Sequence, residues 1–179
     1  VLQVEERRIG CEREKNIKLL VSGWDHGVFI PMILLNPKAD IPVVQLSVLE
    51  SEDPHQHFLM GRALATLRES NVAIIGSGFA SFHNIRLIFS RSVSKTDLKA
   101  RQDEWNETLT AAVSEQKQEA REKRLNRWRE FPHAYEMHPP HGPEHFLPLL
   151  VCAGAAGDGG CSSYRDTFMG SDAWTYYWT

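Results

Sequence analysis

Three short apolar runs punctuate the first half of the chain. Residues 17–21 (Ile-Lys-Leu-Leu-Val), 42–48 (Pro-Val-Val-Gln-Leu-Ser-Val) and 72–75 (Val-Ala-Ile-Ile) are rich in branched side chains and flanked by turn formers. Such runs predict buried strands of the kind that build parallel sheets. Helical patterns lie between them. Val28-Phe29-Ile30-Pro31 predicts a helix starting near residues 28–30, because proline is tolerated in a first turn. Pro37 pushes Asn36 out of the α region, so residues 36–40 read as a loop. Asp53-Pro54 reads as cap and first turn of a second helix running to about Glu69, with Met60, Ala63, Leu64 and Leu67 along one stripe. Alternation of strand and helix across residues 17–90 predicts an α/β sheet.

Beyond Ser94 the texture becomes polar and helical. One long helix is predicted from Lys95 to about Glu130, with Leu98, Trp105, Leu109 and Ala112 on its apolar face. The dense charge between Glu115 and Glu130 reads as a solvated face, with Glu119 and Lys123 a favourable pair one turn apart. Phe131-Pro132 ends the helix, and residues 137–143 form a loop rich in proline and histidine. Pro143-Glu144-His145-Phe146-Leu147 then opens a buried helix reaching about Ala156, with Pro148 in its first turns. The tail from Gly157 reads as a loop whose aromatic residues, Phe168, Trp174, Tyr176, Tyr177 and Trp178, pack back on the body.

A length of 179 residues, 42% apolar and 24% charged, fits one globular domain spanning residues 1–179. The formal charge of −3 gives no electrostatic case for a nucleic-acid partner. No apolar run approaches the ~20 residues that span a bilayer. Cys11, Cys152 and Cys161 form no metal-type pair or disulfide framework, which suits a cytoplasmic protein.

The candidate chemistry rests on histidine. Three of the eight stand at element ends: His26 after Asp25, His83 just past the turn at Gly76-Ser77-Gly78, and His145 at the opening of the last helix. Imidazole suits two tasks there, ligating a divalent metal and moving a proton near neutral pH. No His-Glu-x-x-His is present, so a metal site would be assembled from residues distant in sequence. His55 and His57 sit at a helix start and make a poor metal pair, although His57 alone could cap or face the site. Glu144 and His145 would diverge by roughly 100° on a helix, so one can reach a site that the other does not. Neither a Gly-x-Ser-x-Gly elbow nor a phosphate loop occurs, and Gly76-Ser77-Gly78 lacks the third glycine of a dinucleotide fingerprint.

Three blocks together resemble the class III extradiol ring-cleavage dioxygenases, in the branch of the DOPA 4,5-dioxygenases. They are Trp24-Asp25-His26-Gly27 with residues 37–47; His57-Phe58 and Met60-Gly61-Arg62-Ala63-Leu64 through to Gly76-Ser77-Gly78 and His83-Asn84-Ile85-Arg86; and His138-Pro139 with residues 144–150 and Gly154-Ala155-Ala156. The resemblance covers about residues 23–156. It implies an α/β fold with a mixed central sheet and helices on both faces, lacking the family's N-terminal part. It implies a non-haem Fe(II) or Zn(II) site, a catechol substrate and O2. His83 and His145 correspond to metal-centre histidines, His26 to a substrate-contacting or acid–base histidine, and His83 also to a position used as a base. Two further metal histidines are implied upstream, which makes the chain the C-terminal two-thirds of such an enzyme. A non-catalytic binding or subunit module and a metal-dependent hydrolase are the competing readings.

Overall fold

The computed structural model describes residues 24–90, 93–168 and 170–179. Chain order is α1 (His26–Leu35), α2 (Pro54–Leu64), a 3-10 turn (Ala65–Ser70), α3 (Ile85–Phe89), α4 (Lys95–Val113), α5 (Gln118–Leu125), a 3-10 turn (Trp128–Glu130), α6 (Ala134–Met137), α7 (Leu147–Ala155), β1 (Ser162–Phe168) and β2 (Ser171–Tyr177). Helices therefore pack with an antiparallel hairpin in an α/β arrangement, and the predicted strand at 17–21 lies outside the described residues.

Local chemistry sets the helix starts. The Asp25 side chain accepts from the His26 N–H, so α1 begins two residues before the expected start and Pro31 falls inside it. Asp53 caps α2 by accepting from the His55 and Gln56 N–H groups, with Pro54 in the first position, as the sequence predicts. The buried face of α2 is His57, Phe58 and Gly61, not the Met60–Leu64–Leu67 stripe. The reason is α7. A Cβ on Gly61 would stand 2.0 Å from the Val151 carbonyl oxygen, and one on Gly154 would stand 2.1 Å from that of Phe58. Two glycines thus let the helices touch backbone to backbone.

The predicted helix from Lys95 is two helices. Its break at residues 114–117 is held by groups about 40 residues away: the Asp158 carboxylate accepts from the Gln118 N–H at 2.9 Å and from Lys117 Nζ at 2.8 Å. Nor is the charged stretch wholly solvated. Arg121 is fully buried and donates to the carbonyls of Glu115, Gly157 and Gly159, tying α5 to the chain after α7.

Residues 42–48 and 72–75 are neither helix nor turn, and among the described residues neither pairs in a ladder; the sheet there is β1–β2 alone. Strands need partners to exist as strands, and these two have none there. The tail, expected as a loop, is that hairpin, registered from Ser162↔Tyr177 to Phe168↔Ser171, with Gly170 in the turn at φ +81°. β2 packs on α4, where Thr110 Oγ1 and the Tyr176 hydroxyl lie 2.9 Å apart.

The core is an aromatic box. Trp105 of α4, Trp128, His138 and Phe146 are all buried, with ring centroids 4.5 Å apart for Trp128–Phe146 and 5.1 Å for His138–Phe146. The Leu109 and Ala112 positions of α4 are buried as predicted. Burial also holds the His138 imidazole down to a pKa of about 4, with smaller contributions from His83 and His145. Unfolding releases this group to its ordinary pKa near 6.5. Stability from His138 is therefore complete above pH 6.5 and is lost as the pH falls from 6.5 towards 4, by roughly 3 kcal/mol in all. Urea unfolding of the chain at pH 7 and pH 5 is expected to show about 2 kcal/mol of this loss, and His138→Phe is expected to reduce it; an equal pH dependence in the variant would contradict the assignment.

Candidate metal centre

The three histidines singled out by sequence converge at one end of the aromatic box. The rings of His83 and His145 stack, with centroids 3.5 Å apart and planes inclined by 21°. The His26 ring lies 6.3 Å from that of His145. A fourth group joins them: donor atoms of His83, Glu144 and His145 all lie within 4.8 Å of one another. Glu144 carries no site role in the sequence reading, because a helix would splay it from His145. It reaches the site because α7 begins only at Leu147, leaving residues 144 and 145 in a turn.

Each side chain is positioned by identifiable neighbours. His83 sits on the loop before α3, and its N–H donates to the Met137 carbonyl at 2.9 Å. Asn84 caps α3 through Oδ1 and donates through Nδ2 to the Glu136 carbonyl at 2.8 Å. Upstream, the Ala80 carbonyl accepts from His138 Nε2 at 2.9 Å and from Trp105 Nε1 at 3.1 Å. The Ser81 hydroxyl accepts from the Trp174 N–H at 2.8 Å. The His83 loop is therefore clamped by α4, α6 and β2.

His145 is fixed from both sides. The next residue, Phe146, is locked in the aromatic box, and the His145 carbonyl accepts from the Phe79 N–H at 2.8 Å. A Cβ on Gly78 would stand 2.3 Å from that carbonyl oxygen, so this close approach requires glycine. Burial lowers the His145 pKa, and the neighbouring His83 lowers it further. A neutral imidazole near pH 7 is the form that ligates metal.

His26 is oriented by its neighbour. Asp25 Oδ1 lies 2.8 Å from both the His26 backbone N and its Nδ1. The backbone N–H of His26 is the main reason the Asp25 carboxyl sits below its usual range, with the His26 ring a smaller contributor. An ionised carboxylate only accepts, so Nδ1 carries the proton and Nε2 is left as the acceptor nitrogen. The Asp25 N–H donates to Gln45 Oε1 at 3.0 Å, which ties this corner to residues 42–48.

His57 lies elsewhere. It is fully buried, its Nδ1 donates to the Asp53 carbonyl at 2.6 Å and its Nε2 accepts from the Leu49 N–H at 3.0 Å. Both nitrogens are consumed in closing the loop before α2, so His57 does not face the site. His55 pairs with Glu122 at 2.9 Å on the surface.

Two imidazoles and a carboxylate within 4.8 Å of one another make a group that could hold one divalent ion, and the donor set is that of non-haem Fe(II) oxygenases. A cavity of about 410 Å³ opens beside His145, walled by Ile75, Leu149, Trp174 and Tyr176 among others. A larger depression of about 540 Å³, between α4 and β2, contains none of the histidines.

Comparison with known proteins decides the family. The family described as the catalytic LigB subunit of aromatic ring-opening dioxygenase matches residues 4–177. The chain belongs to this family. The match takes in the β1–β2 hairpin, beyond the 23–156 span that the sequence motifs cover. Over 164 residues the chain is 50% identical to "Dioxygenase tasH" of Hapsidospora irregularis, covering 87% of this chain and 49% of that protein. It is 39% identical over 136 residues to "4,5-DOPA dioxygenase extradiol" of Beta vulgaris, covering 76% of this chain and 47% of that protein. A crystal structure of an uncharacterized protein from Escherichia coli K12 superposes with a TM-score of 0.63 at 31% identity, over 85% of this chain and 61% of the other. The chain thus spans about half the length of the curated relatives it matches.

Proposed function

We propose that this chain carries the C-terminal part of an extradiol dioxygenase that opens a catechol-type ring with O2 at a non-haem Fe(II) or Zn(II) centre held by His83, Glu144 and His145. The observation that carries the proposal is the meeting of those three donors beside His26. The metal would supply Lewis acidity, binding the diol in its ionised form and gathering it with O2.

The protein's residues supply the rest. His26, held by Asp25 through Nδ1 with Nε2 left as acceptor, stands beside His145 and would take a proton from a diol hydroxyl, with Asp25 stabilising the resulting imidazolium. The Ile75, Leu149 and Trp174 side chains give the aromatic ring an apolar wall. His83 stacks on His145 and is a ligand in this account. Both atoms of O2 enter the one product as the carbon–carbon bond beside the diol breaks, so no outside reductant is consumed.

The test is O2 uptake with a catechol after anaerobic loading with Fe(II), using this chain and a longer form extended to the length of its relatives. The expected result is a yellow, ring-opened product carrying two labelled atoms from ¹⁸O2, formed by the longer form at least. Hydrolysis without O2 uptake would favour the hydrolase reading, and neither activity in either form would favour a binding module. Asp25→Asn is expected to lower kcat about 10-fold with metal affinity unchanged, since it removes an orienting partner and no donor. Unaltered kcat would remove His26 from the proton-transfer role.

A further inference from the structure

Three polar residues of α4, Gln102, Asn106 and Thr110, stand one turn apart on the face that meets the hairpin. The outer two are stitched to β2. Gln102 Nε2 donates to the Ser171 hydroxyl at 3.3 Å, and Thr110 Oγ1 lies 2.9 Å from the Tyr176 hydroxyl. Asn106, between them, is only 3% exposed, yet neither its Oδ1 nor its Nδ2 has a hydrogen-bond partner among the described residues. A buried carboxamide left unpaired is costly, and folded proteins keep few of them. This one lines the depression of about 540 Å³ between α4 and the hairpin, where Trp174 is a further wall.

The charges of the depression select what it can take. Its lining carries two basic side chains, Lys99 and Arg165, against three acidic ones, Asp103, Glu107 and Asp172. Both cations are already engaged: Lys99 with Asp103 and with Asp172 at 3.1 Å, Arg165 with Asp172 at 3.4 Å. Glu107 has no ion-pair partner among the described residues. A carboxylate or phosphate would therefore meet a like charge and no uncommitted cation. An ammonium group meets two acceptors, Glu107 and Asn106 Oδ1, and the face of an indole. Asn106 Nδ2 then calls for an acceptor oxygen on the same ligand.

We propose that this depression is a binding site for a small organic cation, a primary ammonium with a carbonyl oxygen on the next carbon, as in an α-amino amide. Glu107 pairs with the ammonium, the Asn106 carboxamide both donates to the carbonyl and accepts an N–H, and Trp174 covers the apolar substituent. The volume lies in the range of small-molecule sites. None of the histidines lines this depression, so the site is independent of the metal centre and of the ring-cleavage reading.

Titration calorimetry of the chain with phenylalaninamide, without added metal and at about pH 6.5, where the α-amino group is protonated, tests the proposal. The expected result is saturable binding at one equivalent. Phenylalanine, which puts a carboxylate in place of the amide, should bind at least ~10-fold more weakly. Glu107→Gln is expected to weaken phenylalaninamide about 5-fold, the scale of an exposed ion pair. Asn106→Leu keeps the shape of the side chain and should weaken it at least ~10-fold, while the free variant melts no lower than the parent because an unpaired buried amide is gone. A lower melting temperature would assign Asn106 to the fold instead, and Glu107→Gln, at an exposed position, still reports on the site. No saturable binding, equal affinity for phenylalanine, or unchanged affinity in either variant would each overturn the proposal.

Discussion

Gly61→Ala is expected to destabilise the protein by about 3 kcal/mol, although alanine is the better helix former by ~1 kcal/mol. In an isolated helix the substitution would help. Here the new methyl would lie 2.0 Å from the Val151 carbonyl oxygen and 2.8 Å from the Ala155 nitrogen, both backbone atoms of α7. No rotamer change relieves a clash between Cβ and backbone, so α2 and α7 must separate. Separation loosens Phe58 and Leu150 in the core and shifts the helix whose preceding turn carries Glu144 and His145. Gly154→Ala meets the Phe58 carbonyl at 2.1 Å from the other side and should cost a similar amount. Thermal unfolding reads the effect directly: at ~2–4 °C per kcal/mol for a chain of this size, each variant should melt about 10 °C lower. Equal or higher melting temperatures would mean that helix propensity decides these positions and that the helices are not in backbone contact.

The second large effect concerns His145→Ala, which should reduce affinity for a divalent metal by at least ~100-fold. Loss of a group that merely orients a ligand commonly costs 10–100-fold, and loss of a donor costs more. His83→Ala should do the same. Neither side chain belongs to the buried core, since His83 and His145 are both half-buried and Phe146 holds the turn. The variants should therefore keep the fold of the parent chain, and titration calorimetry with Zn(II) separates lost donors from lost structure. His138→Phe serves as a contrast: it removes a histidine beneath the site and should alter stability far more than metal affinity. Full Zn(II) affinity in both His83→Ala and His145→Ala would remove this cluster from metal binding.

Much of the positioning was legible in the chain. Asp53-Pro54 marks the start of α2 because capping and proline geometry are local effects. Trp105, Leu109 and Ala112 mark the buried face of α4 because helical spacing is also local. The convergence of His26, His83 and His145 followed from their places at element ends and from the resemblance their motifs carry. What escaped the reading depends on distant partners. Asp158 caps α5 from across the fold, and nothing at residues 114–117 announces the break. Gly61 looks like a weak point in a helix until α7 is seen against it. Glu144 was hidden by the assumption of regular helix, when an irregular turn brings adjacent side chains to one site. Residues 42–48 and 72–75 carry strand composition, yet a ladder requires a second strand, and composition says nothing about whether that partner is present.

His83, Glu144 and His145 are proposed to form a metal centre. Histidine ring NMR during a Zn(II) titration of the chain tests it most directly. The His83 and His145 ring signals are expected to shift together and saturate at one equivalent, while those of His57 and His138, whose nitrogens are engaged or enclosed in the core, stay in place. Saturating shifts confined to surface histidines such as His55 and His133, with His83 and His145 unmoved, would contradict it.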